Sequence, residues 1–151
     1  MHTMHTALDV AKWFLTYNKI MMDSDGAEYI SNLKLQKLLY YAQGTFLAVT
    51  GFPLFGDAIE AWTHGPVVPA VYHAYKSNGD RGIDPPDDFN PNIFDDEETS
   101  LLTEVYNEFG QYSAWKLRNM THAETPWRAT AAGEEIDTTL IEDYFKEHYI
   151  E

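Results

Sequence analysis

Histidine side chains are the first candidates for chemistry in this sequence, because imidazole acts both as an acid–base catalyst near neutral pH and as a metal ligand. The six histidines stand at positions 2, 5, 64, 73, 122 and 148. They do not form the helical pair, with an acid between its members, that binds zinc in metallopeptidases. The repeated Met-His-Thr around His2 and His5 is typical of a flexible chain end. The sequence therefore predicts no metal site.

Covalent catalysis and phosphate binding each need a pattern that this sequence lacks. It has no cysteine, no Gly-x-Ser-x-Gly elbow and no glycine-rich loop before a helix, since its nine glycines are dispersed. A small hydrolase or transferase would have to use His64 or His122 with a nearby carboxylate. Glu124 follows His122 closely, but that spacing does not place both in one pocket. We predict no catalytic residue and no cofactor, and keep such a hydrolase as an alternative.

Two short segments combine rigid backbone residues with aromatic and histidine side chains. They are Trp62-Thr-His-Gly-Pro-Val-Val68 and Thr121-His-Ala-Glu-Thr-Pro-Trp127. Glycine and proline interrupt regular structure, so Gly65-Pro66 predicts a corner that ends a strand and leads into a helix. Thr125-Pro126 predicts the start of another helix, with Trp127 in its first turn. We therefore assign an architectural role to three residues of the second segment, His122, Pro126 and Trp127.

Aromatic residues are numerous enough to serve a protein interface as well as a core. They make up 15% of the chain, and tyrosine and tryptophan are common anchors of protein contacts. A large aromatic core explains the same composition equally well. If the chain binds a partner, we expect the contact at the predicted corner and the helix after it, through Trp62, His64, Gly65, Pro66, Val67, Val68, Tyr72 and Tyr75.

Length and charge narrow the class of protein. A chain of 151 residues with 44% hydrophobic residues predicts a single domain with a substantial core. Its formal net charge of −14 disfavours direct contact with nucleic acid and is compatible with attraction to a basic protein. No basic-then-apolar leader opens the chain, and no apolar run reaches the roughly 18 residues that span a bilayer. We expect a cytoplasmic protein without membrane contact.

Apolar residues at helical spacing between capping residues predict most of the secondary structure. The expected helices run from Ala7 to about Met21, from Ser31 or Asn32 to Thr50, from Pro69 to Asn78, from Glu98 to Phe109, from Ser113 to about Met120, from Thr125 to near Gly133, and from Thr138 to His148. The alternation over residues 58–63 predicts a short strand. Residues 1–6 are expected to be flexible, and the acidic, proline-containing residues 80–98 to form a surface loop. The fold class is mainly α, a bundle of about six helices with a strand or β-hairpin between the second and third.

Four blocks of the sequence resemble the Panacea family, which includes SocA-like antitoxins and phage-associated GepA-like proteins. Besides the two segments above, they are Leu33-Lys-Leu-Gln-Lys-Leu-Leu-Tyr-Tyr-Ala-Gln43 and Pro53-Leu-Phe-Gly-Asp-Ala-Ile-Glu-Ala-Trp62. The blocks match in order and spacing, and the resemblance extends from about Ala7 to Tyr149. It implies one Panacea domain over residues 1–151.

The resemblance also implies a function. Members of the family neutralise a co-encoded toxin by direct protein contact, and the SocA type also acts as an adaptor that delivers the toxin to the ClpXP protease. We therefore expect a cognate toxin, and ClpXP, as partners of a protein that is not an enzyme. A phage-associated adaptor that binds a host protein is the alternative within the same class.

Overall fold

The structure, a computed structural model, describes residues 4–150. One helix, α2 (Asn32–Thr50), forms its centre. Most of the residues of α2 are buried, because other helices and the hairpin pack around it on several sides. Apolar residues such as Leu35, Leu38 and Leu39 contribute to the core, as helical spacing predicts. Its buried surface also includes polar side chains, which bond to the backbone of residues 54–72.

The described residues 4–150 form seven α-helices, one two-stranded sheet and two short 3₁₀ turns. In chain order the elements are α1 (Ala7–Asp25), α2 (Asn32–Thr50), β1 (Glu60–Trp62), β2 (Gly65–Val67), α3 (Pro69–Ala74), a 3₁₀ turn (Lys76–Asn78), a second 3₁₀ turn (Pro91–Ile93), α4 (Asp96–Phe109), α5 (Ala114–His122), α6 (Thr125–Arg128) and α7 (Thr138–His148). This is the mainly helical class that the sequence predicts, with the expected hairpin after the second helix.

Side-chain caps at the helix starts confirm the strongest predictions. Ser31 and Asp137 each accept a hydrogen bond from a backbone N–H of the first turn of α2 and α7. Asp95 and Glu98 form a capping box at the start of α4. The Asp95 carboxylate accepts the Glu98 N–H, and the Glu98 carboxylate accepts the Asp95 N–H. Helix α1 continues past the expected end at Met21, and it stops where Gly26 takes a left-handed φ of 72°.

The prediction that Gly65-Pro66 ends the strand is wrong. Both residues lie in β2, which pairs antiparallel with β1 so that Trp62 faces Gly65 and Ala61 faces Pro66. The turn therefore lies just before Gly65, at Thr63 and His64. Proline is tolerated because this sheet has two strands only, so β2 is an edge strand that need not donate along its whole length.

Two helices are shorter than predicted. Helix α3 ends at Ala74, and residues 76–78 continue as a 3₁₀ turn. Helix α6 ends at Arg128, and its N-cap position is held by Glu124 rather than Thr125. The Glu124 side chain makes no capping bond, because its carboxylate is directed to tyrosine hydroxyls in the interior.

The acidic segment 80–98 and the chain start are held by a few contacts with the body. Ile83 donates its N–H to the Ile30 carbonyl at 2.8 Å, and Ile83 and Phe94 are buried. His5 packs on Phe94 and its Nε2 lies 3.0 Å from a Glu98 carboxylate oxygen. Residues 1–3, with His2, lie outside the described residues. Within residues 4–150 we find no helix that is both long and apolar enough to cross a membrane.

Candidate functional site

Buried polar side chains of α2 hold the segments on either side of the hairpin through their backbone. Asn32 donates to the Tyr72 carbonyl at 3.1 Å, and Gln36 accepts the Val68 N–H at 2.9 Å. Further along the helix, Gln43 accepts the Leu54 N–H and donates to the Phe55 carbonyl, both at 2.8 Å. The bonds of Gln36 and Gln43 satisfy buried backbone groups, and that of Asn32 ties α2 to α3. The polar residues of this block thus fix the path of residues 54–72.

Lys37 is the most unusual of these polar residues, because its side chain is fully buried. Its Nζ donates to the Pro66 carbonyl at 2.8 Å, and none of the described carboxylates pairs with it. Burial, assisted by the positive charge of Arg118, lowers the pKa of Lys37 to about 7. The β2 strand therefore rests on a buried amine whose charged form is disfavoured.

Gly65 leaves the space that Lys37 occupies. Its φ is +108°, a conformation that side chains with a Cβ avoid. A Cβ at this position would lie 2.7 Å from Lys37 Cε and 2.7 Å from Thr121 Oγ1. Glycine is therefore required here both by backbone conformation and by the close approach of α2 and α5.

The two motifs singled out in the sequence meet in space at the hairpin turn. The Trp127 indole N–H donates to the Trp62 carbonyl at 2.7 Å. The His122 ring stacks on Trp127 with centroids 3.9 Å apart and planes 6° from parallel, and it bonds to the backbone of Thr63. Pro126 is buried. The bonds of Trp127 and His122 to the backbone of Trp62 and Thr63 thus fix the turn.

An open groove of about 780 Å³ lies between this hairpin, the start of α2 and the α3 region, and we name it the hairpin groove. Trp62 and Tyr72 lie on its wall with their rings 5.0 Å apart, edge to face. The lining is Ser31, Asn32, Leu33, Gln36, Ala61, Trp62, Thr63, His64, Val67, Tyr72, Lys76, Gly79, Asp80, Ala114, Ala132 and Gly133. Its surface is mainly apolar, which is the usual property of a pocket that receives a ligand or a partner side chain.

The structure separates the eight residues predicted to bind a partner into two groups. Trp62, His64, Val67 and Tyr72 line the hairpin groove. The others do not line it. Gly65 and Pro66 are buried within β2, Val68 is buried directly after it, and Tyr75 is half-buried after the end of α3, where burial raises its pKa. In the first group Trp62, His64 and Tyr72 are exposed or partly exposed, whereas Val67 is buried in the floor of the groove, and the second group supports the wall.

Two residues beside the groove were missed by the sequence reading. Trp115 on α5 has 56% of its surface exposed, and the Arg118 guanidinium lies 4.4 Å from the centre of its ring. Arg118 Nε donates to His64 Nδ1 at 3.2 Å, which joins α5 to the groove rim. The signal in the sequence is a tryptophan three positions before an arginine on a helix, a spacing that places both on one face.

Glu124, in the second motif, is another buried ionisable residue. Glu124 accepts hydrogen bonds from the Tyr40, Tyr41 and Tyr149 hydroxyls at 2.8, 2.9 and 2.5 Å. Burial raises the pKa of the Glu124 carboxyl, while the three hydroxyls oppose that shift. Burial also raises the pKa of each tyrosine, with the nearby carboxylate adding to the effect. This cluster joins α2 to α7 and lies in the interior rather than in the groove.

The histidines are placed in separate environments. His64 is exposed and bonded to Arg118, whereas His122 is held against Trp127 and the backbone of Thr63. Burial, with nearby cations, lowers the pKa of His122, and its Nε2 has no hydrogen-bond partner among residues 4–150. Glu124 points to the tyrosines instead. In the described part of the chain no group of three or more histidine or acidic side chains is arranged to hold a metal ion.

Comparison with known proteins gives two matches. The family described as antitoxin SocA-like, Panacea domain, matches residues 35–128, which include the hairpin and both motifs. The chain is also similar to the antitoxin SocA of Caulobacter vibrioides (strain NA1000 / CB15N), at 38% identity over 122 residues. That alignment covers 69% of this chain and 61% of the relative, so the chain spans less than two thirds of the relative's length. No solved structure matches the chain.

Proposed function

Because this chain belongs to the family of SocA-like antitoxins with a Panacea domain, we propose that it binds a cognate toxin protein and blocks it by direct contact at the hairpin groove. The toxin is the partner that the family implies. The groove is the docking place that the geometry favours, because it is an open, mainly apolar surface inside the matched range.

The observation that carries this proposal is the exposed Trp115 beside the groove. Tryptophan, tyrosine and arginine dominate the binding energy of protein interfaces, and exposed apolar surface that adjoins a groove is typical of a place where a partner binds. Trp115, Arg118 and the Trp62–Tyr72 wall bring these residue types together around one concave surface. A partner that covers them gains the free energy of burying apolar surface.

The first test expresses the protein encoded by the neighbouring gene as the candidate toxin. Co-expression of the wild-type chain should restore bacterial growth, and the two proteins should copurify. Trp115→Ala should weaken the complex by about tenfold or more, as truncation of an interface tryptophan does. Ile20→Ala is the matched control, because Ile20 is also 56% exposed but lies on α1, outside the groove.

The outcomes separate the parts of the proposal. Growth rescue that Trp115→Ala leaves unchanged would remove the groove as the docking site and keep the antitoxin function. Absence of both rescue and binding with that toxin would overturn the antitoxin function. Binding to a host protein instead would favour the adaptor alternative.

Delivery of the toxin to ClpXP in the cytoplasm is the finer part of the proposal, and it rests on the family resemblance. It predicts that the toxin is degraded faster when this chain is present, and only in cells that contain ClpX. A toxin half-life that does not change in the presence of the chain would restrict the mechanism to masking.

A further inference from the structure

Arg118 has hydrogen-bonding capacity that the protein does not use. Its Nε donates to His64 and one terminal nitrogen donates to Asn119 Oδ1 at 3.0 Å. The other terminal nitrogen has no hydrogen-bond or ion-pair partner within residues 4–150. A guanidinium has five N–H donors in a planar fork, and that fork matches a carboxylate. Arg118 therefore presents free donors at the rim of the groove.

The rim of the groove carries the positive charge of Arg118, although the chain as a whole carries a net charge of −14. This guanidinium lowers the pKa of Lys37 and of His122, and His64 contributes a hydrogen-bond acceptor to it rather than a charge. Asp80 and Lys76 also line the groove, and their opposite charges sum to zero. The rim is thus a local cationic site on an acidic protein.

Apolar surface adjoins this cationic site directly. The Trp115 ring lies under the guanidinium, and its centroid is 6.0 Å from that of His64. The ring holds Arg118 by a cation–π contact, so less side-chain entropy is lost when a carboxylate binds. A ligand that satisfies both features must offer a carboxylate next to an apolar side chain.

We propose that the hairpin groove recognises an acidic segment of the partner protein, with an aspartate or glutamate side chain on the free donors of Arg118 and a neighbouring apolar side chain between Trp115 and the groove wall. This proposal rests on the proposed function and specifies the partner segment. The net charge of the chain repels a nucleic-acid backbone, whereas one carboxylate contacts the cationic rim alone.

The test is selection from a random dodecapeptide library displayed on phage, against the full-length protein. The displayed peptides are joined to the coat protein, so selected carboxylates are side chains rather than chain ends. We expect enrichment of aspartate or glutamate within a few residues of an aromatic or aliphatic residue. A selected peptide, synthesised with both ends blocked, should bind about tenfold more weakly to Arg118→Gln, and more weakly still at high salt.

Matched variants separate recognition from folding. Arg118→Lys keeps the charge but loses the planar fork, and should bind between wild type and Arg118→Gln. Arg81→Gln is the control, because Arg81 is an exposed arginine whose bonds are to the backbone of its own turn. It should bind as wild type. The melting temperature of each variant reports whether the fold is intact, and Trp115→Ala supplies a second loss of binding.

Several results would overturn the proposal. They are failure to enrich any peptide, enrichment of basic or uncharged peptides, equal binding of the acidic peptide by Arg118→Gln, and stronger binding of a single-stranded oligonucleotide of equal charge. Each of these leaves growth rescue by the wild-type chain untouched, so the antitoxin function could stand without this recognition. If the expected peptides are selected but the chain does not rescue growth, recognition of an acidic segment would stand and the antitoxin function would not.

Discussion

Glu124 and Lys37 are both buried ionisable residues in family motifs, but their surroundings differ. The Glu124 carboxylate accepts three tyrosine hydroxyls and lies between α2 and α7. The Lys37 ammonium donates to the Pro66 carbonyl, with Arg118 rather than a carboxylate as its charged neighbour. The first group is well satisfied by the fold, and the second is not.

The difference follows the division between scaffold and groove. Buried polar groups stabilise a structure when hydrogen bonds replace the water that they lose, and destabilise it otherwise. The satisfied centre is deep in the helix bundle, whereas the under-satisfied one lies below the hairpin that forms the groove wall. The protein therefore concentrates its unfavourable electrostatics next to the surface that we propose binds the partner.

The largest effect that would sharpen this comparison is expected from Glu124→Ala. Removing the carboxylate leaves the buried hydroxyls of Tyr40 and Tyr41, and the part-buried hydroxyl of Tyr149, without their acceptor. The free energy of unfolding should therefore fall by about 3–5 kcal/mol, the range for breaking a buried charged network. Tyr149→Phe removes one donor and should lower it by about 1 kcal/mol. Urea denaturation followed by circular dichroism measures both. A Glu124→Ala loss no greater than that of Tyr149→Phe would contradict the scaffold role.

The helices could be predicted from the sequence because their signals are local. Thr6, Ser31 and Asp137 stand immediately before apolar residues at helical spacing, and each caps the helix expected there. The hairpin was predicted in part. Its corner was misplaced because Gly65-Pro66 has the composition of a turn, while its place in β2 depends on pairing with β1 and on Lys37 beneath it.

The groove and the two buried centres could not be predicted in full, because their partners are distant in sequence. Four of the eight proposed contact residues do line the groove, since a fixed hairpin exposes one side of its wall. Arg118 reaches His64 across 54 positions, and Glu124 reaches Tyr40 across 84. A lysine in an amphipathic helix ordinarily lies in water, so nothing local distinguishes Lys37 from an exposed lysine.

The second effect concerns the space above Lys37. Gly65→Ala combines an unfavourable φ of +108° with contacts of 2.7 Å to Lys37 and Thr121, so the free energy of unfolding should fall by about 2–3 kcal/mol. Gly133→Ala is the matched control: its φ is +81°, but a Cβ there meets no atom within 4 Å. The control should lose about 1 kcal/mol, from backbone strain alone. Equal losses in thermal denaturation would show that β2 does not rest tightly on Lys37.

The smallest effect is a pH dependence that belongs to Lys37. The pKa of its side chain is about 7 in the folded chain, against 10.5 as the ordinary value. Between these values the unfolded chain keeps a proton that the folded chain has released, so raising the pH favours the folded state. From pH 7 to pH 8 the free energy of unfolding should rise by about 1 kcal/mol through this group.

Lys37→Met should remove that rise, because the substituted side chain does not titrate. The overall stability of Lys37→Met does not test this prediction, because two effects oppose each other. The substitution removes the cost of burying an amine, but it leaves the Pro66 carbonyl without a donor. The slope between pH 7 and pH 8 is diagnostic, and Lys116→Met should keep it, because Lys116 is exposed on α5. An equal change in the free energy of unfolding between pH 7 and pH 8 in wild type and in Lys37→Met would give the opposite answer. That result would show that burial does not disfavour the charged form of Lys37, and the contrast with Glu124 would be lost.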